Sequence, residues 1–243
     1  MRLLARDTDS KLILTPDLHD KTKIPLYAIL SHTWETGQEV TFEDVQNHTA
    51  AGRQKSGFQK IEFCLAQAER DGIQHVWIDT CCICKADHSE LQTALNSMFR
   101  WYRDAVVCYV YLSDVSVEDG ESQSEWEPAF RASRWFTRGW TLQELLAPSK
   151  VLFYSQEGTF LGDKGTLERQ IHEVTGIALP ALRGDLLSTF SVDERLSWIQ
   201  GRQTTREEDK AYALFGLFGV LMSLRYGEGE EEAFKRLRKK IEK

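Results

Sequence analysis

The segment Val106–Leu112, "VVCYVYL", constrains this chain more than any other. It is continuously apolar, β-branched and aromatic, with no polar residue interleaved. A strand with one face in water alternates, whereas a strand covered on both faces does not. The segment is therefore read as a central strand of a parallel sheet. Tyr27–Leu30, Val76–Ile78 and Val151–Tyr154 have the same character. The stretches between them carry helical periodicity. In "FQKIEFCLAQAERDG", Ile61, Cys64, Leu65 and Ala68 follow the i, i+3, i+4, i+7 pattern, and Gly72 is placed to end the helix. In "SELQTALNSMFRWYRDA" the stripe is Leu91, Leu95, Met98, Tyr102 and Ala105. Strand and helix in alternation imply βαβ crossovers and an α/β fold with a mainly parallel sheet flanked by helices.

Beyond Tyr154 the pattern turns helical. "GTLERQIHEVTG", "VDERLSWIQGR", "REEDKAYALFGLFG" and "EEEAFKRLRKKIEK" all read as helices. Ser191 and Thr205 are N-cap candidates, with Glu194 and Glu208 at the capping-box position. The expected organisation is an α/β core over residues 1–155 and an α-helical part over 156–243, packed together as one continuous domain. The polar, acidic segment Ser113–Glu125 is expected to be a mobile loop.

With 243 residues, 42% of them hydrophobic, the chain can bury a substantial core. Its net charge of −7 argues against a nucleic-acid backbone as partner, because phosphates select basic surfaces. The five cysteines do not form a disulfide framework. The opening "MRLLARDTDSK" has no run of signal-peptide length, and no apolar stretch is long enough for a membrane span. A soluble protein of a reducing compartment is the expectation.

Several places offer chemistry. "CCIC", Cys81 to Cys84, reads as a redox pair, half of a zinc site, or a strand end that packs well. No second pair completes a metal set, so none is assigned. "LSHTW" presents Ser31, His32 and Trp34 where a buried strand ends, which is where ligands meet open parallel sheets. The alternative is a turn held by Ser and His. No glycine-rich phosphate fingerprint follows this strand, so a dehydrogenase-type dinucleotide fold is not expected. Asp79 in "WIDTC" is a ligand contact or a turn cap. In "RGWTLQELLAP", at roughly 100° per residue, Leu142, Leu145 and Leu146 form one stripe and Trp140 and Glu144 share the opposite face. If the leucines face the core, the Trp–Glu pair faces outward, unless another layer covers it. "RQTTREEDKAY", Arg202 to Tyr212, is accounted for by a cap and surface ion pairs.

Together "YAILSHTW", "EVTFEDV", "VWIDTCCI", "LNSMFRWYRDA", "RWFTRGWTLQELLAP" and "RQTTREEDKAYALFGLFGV", followed by "RYGEGEEEAF", resemble the HET, or heterokaryon-incompatibility, domain of filamentous fungi. The resemblance runs from about Leu26 to Phe234. It implies a cytoplasmic protein that triggers cell death on recognition of non-self. Cys84 stands where the family usually has an acid, and "VLMSLRYGEG" lacks the usual Pro. HET domains are in turn similar to TIR domains, which implies a flavodoxin-like sheet. "AILSHTW" resembles the TIR first-strand signature, and "GWTLQEL" resembles Trp-Cys-x-x-Glu-Leu, with Thr141 in place of Cys. The glutamate of that motif hydrolyses NAD in TIR enzymes, which implies a catalytic role for Glu144. Ser31, His32, Trp34, Asp79 and Trp140 are then candidate pocket residues, and Arg134 and Arg138 candidates for the pyrophosphate.

Two functions are open at this point. One is an NAD glycohydrolase, with NAD as substrate and no cofactor, activated by self-association and triggered by a non-self recognition protein. The other is a non-enzymatic signalling module that acts by oligomerising.

Overall fold

The computed structural model describes residues 1–118 and 120–242; Asp119, within the expected acidic loop, lies outside them. Seven strands form one sheet: β1 (Leu4–Arg6), β2 (Leu12–Leu14), β3 (Tyr27–His32), β4 (His75–Trp77), β5 (Val107–Tyr111), β6 (Val151–Tyr154) and β7 (Phe160–Asp163). Their order is β2-β1-β4-β3-β5-β6-β7. The four apolar runs are β3 to β6, and the pairs β4–β3, β3–β5 and β5–β6 are parallel. All of β3 and β5 is buried, as a doubly covered strand requires. The architecture is α/β, and its parallel core is compatible with a flavodoxin-like arrangement.

Three outer strands carry little sequence signal. β1, β2 and β7 pair antiparallel and have only three or four residues each. The β1–β2 turn is closed by the Asp7 carboxylate, which accepts the N–H groups of Asp9 and Lys11. A single side chain thus does the work that hydrophobic periodicity does elsewhere.

The connection from β3 to β4 contains the helix Phe58–Arg70, and that from β4 to β5 the helix His88–Asp104. The first steps to one side of β3 and the second crosses back to the other. Right-handed crossovers therefore lay these helices on opposite faces of the sheet. The helix Thr141–Leu146, on the way from β5 to β6, packs against His88–Asp104 and β3. Its stretch is stapled to the core by aromatics: Trp135, Phe136 and Phe130 surround Phe153 of β6 with ring centroids 5.1–6.5 Å apart. Each such side chain contributes roughly 1.5–3 kcal/mol by burial.

After β7 the chain is mainly helical, in shorter pieces than the periodicity suggests: Glu168–Thr175, Leu179–Leu182, Val192–Ser197, Asp209–Tyr212, Phe215–Phe218 and Glu230–Ile241. Ser191 caps as expected, accepting the Glu194 N–H. Thr205 does not. The helix starts at Asp209, and the Glu208 carboxylate accepts N–H groups of Gly227 and Gly229 instead. A tertiary contact has taken the acid that a capping box would have used. Phe215–Phe218 packs on His88–Asp104 so closely that a Cβ on Gly216 would lie 2.1 Å from Phe99. This docking lays the C-terminal segment over the carboxyl ends of the strands.

Candidate functional site

β3 delivers two consecutive polar residues to opposite faces of the sheet, as strand geometry demands. Ser31 points toward the helix Thr141–Leu146. Its hydroxyl accepts the Trp135 indole N–H at 2.7 Å and donates to Glu144 Oε2 at 2.5 Å. His32 points the other way. Its Nε2 lies 3.1 Å from Asp79 Oδ1, beyond the end of β4, and its Nδ1 lies 3.8 Å from Glu39 Oε2. Glu39 is held in turn by the buried Lys60, whose Nζ also donates to the Thr33 carbonyl.

Glu144 is 5% exposed. Burial pushes its carboxyl up to about 8, with the Asp79 charge adding to the rise, against hydrogen bonds from Ser31 and Tyr102 and the charge of Arg138. Asp79 goes the other way. Burial would raise it too, but the His32 hydrogen bond and the charges of Lys85, His32 and Lys60 hold it below the usual carboxylate range.

The helix bearing Glu144 is short and held at both ends by buried cations that bind carbonyls, not acids. At its start, Arg202 donates to the Arg138 carbonyl at 2.8 Å and the Thr141 hydroxyl at 2.9 Å. At its end, Lys164 donates to the Pro148 carbonyl at 2.8 Å and the Leu145 carbonyl at 3.3 Å. Burial lowers Arg202 to about 10, although the Glu144 charge opposes this, and lowers Lys164 to about 8. Gln203 adds a backbone clamp, donating to the Thr137 carbonyl and accepting the Gly139 N–H. Gly139 keeps this approach close, since a Cβ would meet the Thr204 methyl at 2.5 Å and Thr204 would have to shift.

Glu144, Asp79, His32, Trp34, Arg138 and Trp140 line one cavity of about 230 Å³. Its apolar wall is Leu91, Leu95, Met98 and Ile83, and its far side is Thr205, Arg206, Asp209 and Tyr226. The cavity adjoins a wider cleft of about 650 Å³, with Trp34, Ile83, Lys85, Arg138 and Thr205 common to both. Arg134 lines only the wider cleft, where its guanidinium lies 3.5 Å from Asp114. Lys85 Nζ sits 3.7 Å above the Trp34 ring at the junction.

The structure thus brings six of the candidate residues into one cavity, seats Ser31 behind Glu144, and sets Arg134 at the outer cleft. It decides one open alternative and corrects one expectation. Trp140 and Glu144 do not face solvent, because the segment from Thr205 to Asp209 and Tyr226 covers them. "RQTTREEDKAY" is not merely a capped, ion-paired surface, because Arg202 is buried and Thr205, Arg206 and Asp209 are cavity wall. The stripe of His88–Asp104 is also divided. Met98, Tyr102 and Ala105 are core, whereas Leu91 and Leu95 are half-buried in the cavity wall. Tyr102, Trp135, Glu39, Lys60 and Asp209 join the site without having been singled out from sequence. Only a buried lysine on a helix's apolar face, Lys60 beside Ile61 and Cys64, hinted at one of them.

All five cysteines are free thiols. Cys81 and Cys82 pack in the core beside Ile78. Among the described residues no group of three His, Cys, Asp or Glu side chains is arranged to hold a metal ion, and no helix is long and apolar enough to cross a membrane.

Residues 27–127 match the family model described as heterokaryon incompatibility protein (HET). The whole chain is similar to the vegetative incompatibility protein HET-E-1 of Podospora anserina, at 55% identity over 246 aligned positions. The chain spans 18% of the length of that relative. No solved structure matches it.

Proposed function

Because the chain belongs to the HET family, we propose that it is a cell-death effector of heterokaryon incompatibility that acts as an NAD glycohydrolase with Glu144 as its catalytic carboxylate. The observation that supports this reading best is a buried, proton-retaining carboxylate on the wall of an apolar cavity that opens into a wider cleft with cationic side chains. A nicotinamide ring suits the inner cavity, and the phosphates suit the cleft, where Lys85, Arg134 and Arg138 stand.

The chemistry follows from the leaving group. Cleavage at the nicotinamide ribose passes through an oxocarbenium-like state, as in glycoside hydrolysis. The pyridinium departs neutral, so no acid has to protonate it. The positive charge of the bound pyridinium opposes the burial penalty at Glu144 and drives it to ionise. The ionised carboxylate then stabilises the charge that moves to the ribose, in a site shielded from water. Ser31 fixes the orientation of Glu144, and Trp140 supplies a face for the ring. Activity in a death effector must be restrained, and assembly of copies is the switch we assign to it. Nicotinamide release by concentrated or clustered protein, measured beside Glu144→Ala, tests the reading. Release by the parent and not by the variant supports it. Assembly with no turnover by either would favour a non-enzymatic oligomerisation module instead.

A further inference from the structure

Hydrolysis of a pyridinium riboside releases a proton, and Glu144 is poorly placed to accept it. Its carboxylate is deep, bound to Ser31 behind, and committed to the ribosyl cation in front. Two other carboxylates line the same cavity, Asp79 and Asp209. Asp209 accepts the Tyr226 hydroxyl at 2.9 Å and burial raises its carboxyl, whereas the surroundings of Asp79 differ. Its side chain is 16% exposed, so water reaches it. Oδ1 is taken by His32 Nε2 at 3.1 Å, and among the described residues Oδ2 receives no hydrogen bond. His32 is itself immobilised. It is 3% exposed at the side chain, with Nδ1 facing Glu39, which Lys60 pins from the far side.

We infer that Asp79 is the general base that activates the attacking water, with His32 as its positioning residue, so that bond cleavage and water attack are served by different carboxylates. This rests on the glycohydrolase reading. The C1′–N bond breaks with its electron pair passing to the ring nitrogen, and nicotinamide leaves neutral. The water oxygen forms the new bond at C1′, and the proton it sheds passes to Asp79 Oδ2 and from there to solvent. The opposed electrostatics of the two acids suit this division, since paired carboxylates with separated titrations take separate roles.

A nucleophile that carries no proton to lose does not need the base. The test therefore supplies NAD with and without 3-acetylpyridine and follows two products: ADP-ribose from water attack, and the acetylpyridine dinucleotide from base exchange. Asp79→Asn should lower hydrolysis by about 100-fold or more while base exchange is retained. His32→Gln should shift the same partition in the same direction by less, and Glu144→Ala should lower both reactions together by about 10²–10³-fold. Loss of both products in proportion in Asp79→Asn would overturn the assignment and leave Asp79 a binding residue, and so would an unchanged partition. If Asp79→Asn does not melt cooperatively, Asp79→Glu and His32→Gln carry the same ratio measurement. A parent protein that gives neither product would instead overturn the glycohydrolase reading, and this assignment with it.

Discussion

The two faces of β3 solve the same problem in opposite ways. On the His32 face, buried charge is met by a partner: Lys60 by the Glu39 carboxylate, and Asp79 by the His32 ring nitrogen with the charges of Lys85 and Lys60 nearby. On the Ser31 face, Glu144 meets a hydroxyl, and the buried cations at the two ends of its helix, Arg202 and Lys164, spend their hydrogen bonds on carbonyls and a hydroxyl. One face holds its acid ionised and the other holds its acid protonated. Adjacent residues of one strand thus produce two carboxylates of different character within a single cavity. A buried charge is tolerated when paired, and a buried acid that lacks a cation keeps its proton.

Breaking the paired face should cost most. Lys60→Met leaves Glu39 as an uncompensated buried acid and should destabilise the fold by about 3–5 kcal/mol in urea unfolding. On the other face the largest effect is on activity. Glu144→Ala should lower nicotinamide release by about 10²–10³-fold, or roughly 3–4 kcal/mol of transition-state stabilisation, with the melting temperature maintained.

The proton on Glu144 has a stability signature with a definite sign. An unfolded glutamate ionises near 4.5, whereas in the fold the group holds its proton to about 8. Between these values the folded state binds more protons than the unfolded state, so its stability falls as pH rises and levels off above about 8. Wild type should therefore lose on the order of 5 kcal/mol relative to Glu144→Gln across that window, with the two coinciding at the acid end. Unfolding curves at stepped pH measure this difference. An absence of convergence at low pH would show that the carboxylate is paired after all.

The smallest change sharpens the comparison. Ser31→Ala removes a donor that favours the ionised form of Glu144 and strands the Trp135 indole. It should cost about 1–2 kcal/mol of stability. It should also move the acid limb of kcat/KM toward higher pH, since Glu144 then holds its proton more tightly.

Much of this fold is legible in the chain because a doubly buried strand cannot hide its composition. Tyr27–Leu30 and Val106–Leu112 announce themselves, and the helices between them are long enough to show their period. β1, β2 and β7 are not legible, since strands of three or four residues with exposed positions offer almost no pattern. The C-terminal helices read too long because helical periodicity continues across residues where the backbone turns, as at Ala213 and Leu214 between the helices Asp209–Tyr212 and Phe215–Phe218. In the site, spacing put Trp140 and Glu144 on a common face, and strand ends pointed to Ser31, His32 and Asp79. Nothing local marks Arg202 as buried, and only its place on an apolar helix face marks Lys60, because a lysine or arginine in a sequence reads as surface until a partner is found for it.

By itself, then, the sequence determined the parallel core, the order of its elements and the residues that reach its carboxyl edge, since burial on two faces and strand alternation are encoded within a few neighbouring positions. Whether Glu144 met water, a core or a cavity was decided by the tertiary structure alone. That outcome depends on Arg202, Asp209 and Tyr226 arriving from some sixty to eighty residues away, and the free energy of a carboxylate is set by what surrounds it in space.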